Sequence, residues 1–200
     1  MNGICRQSGC DRHGERERRL ANLTGNLSDI ERANDFEQRE AEIYGRTDLV
    51  LYVTETDQQR FLELVPGLLT EHLPTISEAA SAGPGFAERS GVLFLGNFEN
   101  LANRDALAWL HENVWPLVRR AEPALNLYIA GNAAPEGLEK RYAGVNCIGK
   151  IPKLDAQFDL RRVFVAPIRY GTGIITKNMH ALAQGLPVVT SMVGAEGLQL

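Results

Sequence analysis

The sequence predicts an α/β fold in which a doubly wound, parallel, Rossmann-like sheet is preceded by the end of a second α/β domain. From residue 91 onward, strand-like apolar runs alternate with helical patterns, an order typical of parallel sheets with right-handed crossovers. The texture of the chain changes near residue 85, where a polar half rich in charge gives way to this alternating half. We therefore expect residues 1–72 to be the remnant of an N-terminal α/β domain, 73–90 to be a linker, and 91–200 to be the Rossmann-like domain.

The composition indicates a globular protein and argues against several classes of function. With 200 residues, of which 44% are hydrophobic and 23% charged, the chain can bury a sizeable core. Its formal net charge of -4 gives no general reason to bind nucleic acid. The apolar runs are far shorter than the roughly 20 residues that span a bilayer, and no apolar signal segment follows Met1. We therefore expect a cytoplasmic protein that does not bind nucleic acid.

Cysteine and histidine usage indicates neither a disulfide framework nor a metal site. The cysteines are Cys5, Cys10 and Cys147, an odd number with two members in a polar leader. Cys147 lies among apolar residues, which favours a small core residue over a nucleophile. His111 and Glu112 are adjacent on a predicted helix but lack a second histidine at metal-binding spacing, so no metal is expected.

The first half of the chain carries signals for three helices and one strand. The alternating-sign run "DRHGERERRL" is interpreted as a solvated helix face. A second helix is predicted in "IERANDFEQREAEIYG", ending at Gly45, and a short buried strand in "DLVLYVTE". The third helix is predicted in "TETDQQRFLELV", with Thr54 or Thr56 as its N-cap. The inward-facing residues expected on the second and third helices are Ala33, Phe36, Ile43, Phe61, Leu62 and Val65.

The second half begins after the Pro-, Gly- and Ser-rich linker "LPTISEAASAGPGFAERS". Strands are predicted in "GVLFLG", "LNLYIAG", "VNCIG", "RRVFVAPI" and "LPVVTS". Helices are predicted between them, in "NRDALAWLHENVWPLVRR", in "PEGLEKRYAG" with Pro135 near its start, and in "GIITKNMHALAQG" with Gly185 at its end. The residues expected on the buried sides of the first and last of these helices are Leu107, Leu110, Val114, Leu117, Ile175, Met179 and Leu182.

Glycine-containing loops follow three of the predicted strands. Ligands of open α/β sheets bind at the carboxyl ends of the strands, so the loops 96–98, 149–150 and 170–173 are expected to line one crevice. Gly171 and Gly173 let the backbone approach a ligand, and the free N–H groups of the following helix favour a phosphate. Alternatively, the two glycines only form a tight strand-to-helix turn. Lys177 either reaches the phosphate or is solvated, and His180 on the same face could hydrogen-bond a ligand or a neighbouring loop.

The most specific signal is a resemblance to a known enzyme family. The segments "GVLFLGNFENLANRDALAWL", "LYIAGN", "IGKIPKL" and "RVFVAPIRYGTGIITKNMHALAQGLPVVTSMVGAEGL" resemble the C-terminal donor-binding domain of group 1 (family 4) glycosyltransferases, which have the GT-B fold. This resemblance covers about residues 88–200. The earlier segments "DRHGERERR" and "FEQREAEIYGRTDLVLYVTETDQQRFL" resemble the last part of the same family's N-terminal, acceptor-side domain.

The resemblance implies a retaining glycosyltransferase that transfers a sugar from a nucleoside diphosphate sugar to a glycan or lipid-linked acceptor, in bacterial surface polysaccharide or related glycan synthesis. No cofactor beyond the donor substrate is implied, and a lipid-linked acceptor would bring the protein to a membrane surface. The donor diphosphate would lie on the glycine turn and the base near the loop after "VNCIG". Glu196 would orient the donor or be a solvated loop carboxylate. The donor-binding residues implied by position are Gly96, Phe98, Lys150, Ile151, Tyr170, Gly171, Thr172, Gly173, Ile174, Lys177, His180 and Glu196.

Three features depart from the family pattern. His180 stands where related enzymes carry a glutamate that holds the ribose hydroxyls, and histidine cannot act as a bidentate acceptor. The other acidic position of the family falls at Thr172. The segment "GNFENLANRD" lacks the basic pair that many relatives aim at the diphosphate, and Arg104 is not assigned that role. These departures favour the alternative of a non-catalytic, nucleotide-binding or partner-binding domain, and a sugar-nucleotide epimerase is a third hypothesis.

The position of the resemblance within the chain leads us to expect a fragment. Most of an N-terminal Rossmann domain and the closing helices of the C-terminal domain are not recognised in the sequence. Because a GT-B enzyme brings its acceptor on one domain to the donor on the other, we expect this chain alone to be inactive. The catalytic residues are not assigned, since His13 lies in a segment that does not match a catalytic site.

Overall fold

The structure is a computed structural model that describes residues 13–79, 83–152 and 154–198. Cys5 and Cys10 lie outside the described residues. Within the described residues, the helices in chain order are α1 (His13–Thr24), α2 (Leu27–Tyr44), α3 (Glu55–Leu64), α4 (Leu101–Trp109), α5 (Trp115–Ala121), α6 (Leu138–Arg141), α7 (Asp155–Leu160), α8 (Thr176–Ala183) and α9 (Met192–Ala195). The strands are β1 (Val50–Tyr52), β2 (Thr70–His72), β3 (Val92–Leu95), β4 (Leu127–Ala130), β5 (Val145–Gly149), β6 (Val163–Ala166) and β7 (Val188–Thr190).

The chain divides into two compact units, which are described separately. The first consists of the described residues up to Ile76 together with Tyr170–Ile175 and the described residues from Ala195 on. The second consists of Ser77–Arg169 and Thr176–Gly194. The division at Ile76 falls inside the segment 73–90, and the domain limits 1–72 and 91–200 stay predictions.

In the first unit, α1 and α2 pack against each other through ion pairs. The Arg18 guanidinium lies 2.8 Å from the Glu37 carboxylate, and Arg32 lies 2.8 Å from Glu17. The two helices approach closely at Gly14, because a Cβ at that position would lie 2.5 Å from Cγ of Glu37. The interpretation of this charged run as a solvated helix face is therefore wrong. Oppositely charged side chains of α1 and α2 instead form ion pairs across the contact between the two helices.

The remaining elements of the first unit form a small α/β layer. β1 and β2 pair in parallel, with Val50 opposite Thr70, and β2 was not predicted from sequence. Thr54 is the N-cap of α3, as predicted, and forms a capping box in which its hydroxyl accepts from the Asp57 N–H at 3.1 Å. The core of this layer contains Tyr44, Val50 and Phe61.

Two of the predicted inward residues of the first unit face outward instead. Gly45 ends α2 as predicted, and Ala33 and Phe61 are fully buried. Ile43 is 52% exposed and Leu62 is 38% exposed, so their predicted inward positions are wrong. In α2 the buried residue near the C-terminal end is Tyr44, whose ring packs edge-on against Phe61 with centroids 4.9 Å apart.

The second unit is a five-stranded parallel sheet with strand order β5-β4-β3-β6-β7. The predicted α/β class and parallel sheet are confirmed. The fully buried side chains on β3, β4 and β6 form the centre of its core, since parallel strands covered on both faces are apolar throughout. They are Leu93, Phe94, Leu127, Ile129, Ala130, Phe164 and Ala166.

The helices of the second unit follow the predicted order with local differences. α4 and α5 are joined by a π-helical segment at Leu110–Val114. Leu107 and Leu110 are buried as predicted, whereas Leu117 is 59% exposed because the π segment shifts the helical register before it. On α8 the fully buried residues are Asn178 and Ala181, while the predicted Met179 and Leu182 are half-buried. Of the described residues, no helix is long and apolar enough to cross a membrane.

Candidate functional site

The strand order places a topological switch point beside β3. β4 and β5 extend the sheet on one side of β3, and β6 and β7 extend it on the other. Ligands of such sheets bind outside the carboxyl ends of the strands where the order reverses. The loops that follow β3 and β6 therefore begin at the position where a ligand is expected.

The carboxyl ends of β3, β4 and β5 are joined by backbone hydrogen bonds between their glycine loops. The Gly96 N–H donates to the Ala130 carbonyl at 3.0 Å, and the Gly131 N–H donates to the Gly149 carbonyl at 2.8 Å. Gly131 has a φ of +134°, and a Cβ built on it would lie 1.7 Å from the Gly96 carbonyl oxygen. Only glycine fits there, so the Gly131 backbone can lie directly against the Gly96 carbonyl at the switch point.

The loop after β3 turns its aromatic side chain into the core. Phe98 is fully buried and stacks on Phe94 with ring centroids 5.8 Å apart. Its N–H donates to the Asn132 carbonyl at 2.9 Å, and its carbonyl accepts from Nε of Arg104. The Phe98 side chain is thus part of the core, and Arg104 holds the backbone of this loop.

Lys177 places its ammonium at the carboxyl end of β3, within the second unit. Its Nζ donates to the Leu95 carbonyl at 2.8 Å and to Oδ1 of Asn103 at 2.7 Å, and it lies 5.6 Å from the ring centroid of Phe94. Burial lowers the pKa of Lys177 to about 8. The alternative of a solvated Lys177 is therefore wrong. The structure places the Lys177 ammonium, with its lowered pKa, at the end of β3. The sequence had located this lysine only on the polar face of a helix.

The glycine turn leads directly into α8 and belongs to the first compact unit. Tyr170 and Gly171 are buried, and Thr172, Gly173 and Ile174 are half-buried. Gly173 has a φ of +68°, and a Cβ at that position would meet no atom within 4 Å. Glycine adopts this left-handed backbone conformation without steric cost. Because the space beside Gly173 is open, a ligand can approach its backbone closely.

Three other predicted donor-site residues lie near the ends of the second unit's elements. Lys150 is exposed and Ile151 half-buried, directly after Gly149 at the carboxyl end of β5. Gly149 has a φ of +74°, which turns the chain out of the strand. His180 is exposed in the second turn of α8. Their contacts to a base and a ribose stay predictions.

Glu196 makes a bidentate ion pair that the sequence did not predict. Its Oε2 lies 2.8 Å from one terminal nitrogen of Arg19, and its Oε1 accepts from the other at 2.9 Å. Arg19 also donates to the Gly171 carbonyl at 2.7 Å. The solvated-loop alternative for Glu196 is therefore wrong. No local signal could have found this pair, because the two residues are 177 positions apart in the chain.

Among the residues 13–79, 83–152 and 154–198, no group of three or more histidine, cysteine, aspartate or glutamate side chains is arranged to hold a metal ion. Cys147 is half-buried, and its thiol donates to the Pro135 carbonyl at 3.7 Å. Burial raises the pKa of this thiol, which opposes a nucleophilic role. The groups that the described elements offer to a ligand include backbone N–H groups, a lysine and hydrogen-bonding side chains.

Residues 89–199 match the family model described as "Glycosyl transferases group 1". Among curated proteins, the chain is 35% identical over 117 residues to the "Uncharacterized 44.6 kDa protein in cps region" of Klebsiella pneumoniae. That match covers 53% of this chain and 30% of the relative.

Two solved glycosyltransferase structures are similar to this chain. A mutant of TarM from S. aureus, in complex with Fondaparinux, alpha-GlcNAc-glycerol and UDP, superimposes with a TM-score of 0.64 at 16% identity, over 78% of this chain and 32% of that one. WaaG, a glycosyltransferase involved in lipopolysaccharide biosynthesis, gives a TM-score of 0.61 at 16% identity, over 96% of this chain and 55% of that one. At these identities the likeness concerns the fold. The chain spans about a third of the curated relative and of TarM, and about half of WaaG.

Proposed function

This chain belongs to the group 1 glycosyl transferases, and on that premise we propose that it binds a nucleoside diphosphate sugar as the donor part of a retaining glycosyltransferase. The acceptor is a glycan or a lipid-linked glycan of a bacterial cell surface. The position of the K. pneumoniae relative in a cps region and the role of WaaG in lipopolysaccharide biosynthesis support this class of acceptor.

The observation that carries the proposal is the glycine turn in front of α8. Gly173 combines a left-handed backbone with open space beside its Cα, and α8 begins three residues later with the unpaired N–H groups of a helix N-terminus. A diphosphate fits this arrangement because the backbone can approach it and the helix dipole favours negative charge. In our proposal Gly171–Ile174 hold the diphosphate, and Lys150 with Ile151 adjoin the base.

Lys177 has a defined chemical task in this proposal. Sugar transfer leaves negative charge on the departing diphosphate, and preorganised positive charge near that group lowers the barrier. The Lys177 ammonium is held by Leu95 and Asn103 and therefore does not need to reorganise when the charge develops. Its low pKa reflects a poorly solvated environment, in which an ammonium interacts strongly with an anion.

A calorimetric titration of the chain with UDP, GDP and ADP tests the proposal. We expect saturable binding of one nucleotide, weakened at least about tenfold in Gly173→Ala because the left-handed turn is disfavoured for alanine. Gly185→Ala is the matched control, since Gly185 has a φ of +69° and equally open space but ends α8 instead of beginning it. Equal loss of affinity in both variants, or no binding of any nucleotide by the folded wild type, would contradict the proposal.

A second candidate is a nucleotide-binding domain that turns nothing over. His180 and Thr172 favour it, because neither supplies the carboxylate that relatives carry, and the Thr172 hydroxyl is buried without a hydrogen-bond partner in the described structure. The transferase and the non-catalytic domain differ in whether the whole protein transfers a sugar. Nucleotide binding by this chain, combined with no sugar transfer by the whole protein to any surface-glycan acceptor, would select the non-catalytic function.

A further inference from the structure

Arg19 on α1 makes three contacts, one of which is to the glycine turn. It donates to the Gly171 carbonyl, forms the bidentate pair with Glu196, and lies 2.9 Å from Glu15 one helical turn away. The side chains of Arg19 and Glu196 are only 20% and 14% exposed. The hydrogen bond with Glu196 raises the pKa of Arg19 further, so the guanidinium stays charged at every accessible pH.

The contacts fix two chain segments that lie far apart in sequence. Gly171 belongs to the turn before α8, and Glu196 follows α9, yet both are held by the one planar guanidinium. A planar fork with five donors can satisfy a carboxylate and a carbonyl together, which a lysine ammonium cannot do with the same geometry. Arg19 therefore defines the distance between the turn and the Glu196 segment.

A steric contact beside this cluster fixes the same two segments. Gly197 has a φ of +77°, and a Cβ at that position would lie 2.5 Å from Cγ2 of Thr54 and 2.8 Å from Cγ1 of Ile174. The Glu196 segment is therefore pressed against the N-cap of α3 and against the end of the glycine turn. Together, the ion pair and the close packing leave the turn little freedom.

We propose that Arg19 is a positioning residue that holds the Gly171–Gly173 backbone in its ligand-binding shape through the Gly171 carbonyl and Glu196. The inference rests on the proposed function, since the shape it maintains is that of the proposed diphosphate turn. Arg19 and Glu196 act as one unit, and neither touches the nucleotide. Glu196 thus serves the donor indirectly, by completing the clamp on the turn.

The test compares Arg19→Gln with Arg18→Gln, a matched control on the same helix. Arg18 also has a half-buried guanidinium in an ion pair, but it binds Glu37 and Asn34 on α2. The heteronuclear NOEs of the Gly171 and Gly173 amides report the mobility of the turn without any ligand. We expect these NOEs to fall in Arg19→Gln and to stay at the wild-type value in Arg18→Gln, with both proteins folded by circular dichroism.

Nucleotide titrations of the same variants give the functional readout. We expect Arg19→Gln and Glu196→Gln each to weaken nucleotide binding about tenfold, a typical coupling between linked sites. The double variant should be no weaker than the single ones, because residues that act as a unit are not additive. Additive losses, or unchanged NOEs in Arg19→Gln, would overturn the inference. If the wild type binds no nucleotide, the proposed function fails while the NOEs still decide whether Arg19 holds the turn.

Discussion

Replacing Lys177 by methionine should change how the stability of the protein depends on pH. Lys177 has an ordinary pKa of 10.5 that burial lowers to about 8. Between these values the unfolded chain binds a proton that the folded chain has released, so the free energy of unfolding rises as the pH rises through this window. Below pH 8 both states carry the proton, and Lys177 contributes a constant desolvation cost.

The size of the effect follows from the size of the shift. The lowering from 10.5 to about 8 corresponds to about 3 kcal/mol, at about 1.4 kcal/mol for each pKa unit. This is an upper limit, because the hydrogen bonds from Nζ to the Leu95 carbonyl and to Asn103 favour the charged form. We expect a gain of about 1 to 3 kcal/mol in the wild type between pH 8 and 10.5 that is missing from Lys177→Met.

Urea denaturation at closely spaced pH values from 7 to 10.5 measures this difference. The quantity of interest is the free energy of unfolding of the wild type minus that of Lys177→Met, since other groups that titrate at high pH cancel in it. Lys140→Met, in which an exposed lysine is replaced, is the control for loss of a positive charge. If the free energy of unfolding changed with pH in the same way in the wild type and in Lys177→Met, the lowered pKa of Lys177 would be refuted.

Two further predictions concern single residues of the second unit. Gly131→Ala should destabilise the protein by about 3 kcal/mol or more, because the added Cβ would overlap the Gly96 carbonyl. Gly137 also has a positive φ, of +78°, but has nothing within 4 Å of the position of a Cβ. Gly137→Ala should therefore destabilise the protein by only about 1 to 2 kcal/mol. Thermal melts of the two variants compare these costs, and similar losses would contradict the close approach at Gly96. Alkylation of Cys147 by iodoacetamide, measured in a Cys5→Ser, Cys10→Ser background, should keep accelerating above pH 9.0, because burial raises the pKa of the thiol above that ordinary value. A rate that levels off below pH 9.0 would show a thiol without this shift.

The local elements of this protein could be predicted because their signals are local. The apolar runs at 92–95, 127–130 and 163–166 are strands, Gly45 ends α2, and Thr54 caps α3. Alternation of these runs with helices determined the parallel sheet, since parallel strands need crossovers of about this length. The family resemblance, carried by the second half of the sequence, was confirmed by the match over residues 89–199.

Errors arose where side-chain environment depends on residues far away in the chain. Ile43 satisfied a helical period but lies on an exposed face, because periodicity identifies an apolar stripe without showing what packs against it. Leu117 is exposed because the π segment before it shifts the helical register, which a regular period does not indicate. β2 carries the polar sequence "TEH", and only its parallel pairing with β1 makes it a strand. Its three residues contain no signal that could have indicated this.

The candidate site shows the same division. The sequence by itself determined that a glycine turn precedes a helix, because glycine and helix-start signals are properties of adjacent residues. Only the tertiary structure decided that the Lys177 ammonium is hydrogen-bonded at the end of β3 and that Arg19 binds both Gly171 and Glu196. Burial and ion pairing depend on three-dimensional proximity between residues such as Arg19 and Glu196, 177 positions apart, and no periodicity or spacing in one sequence encodes such a distance.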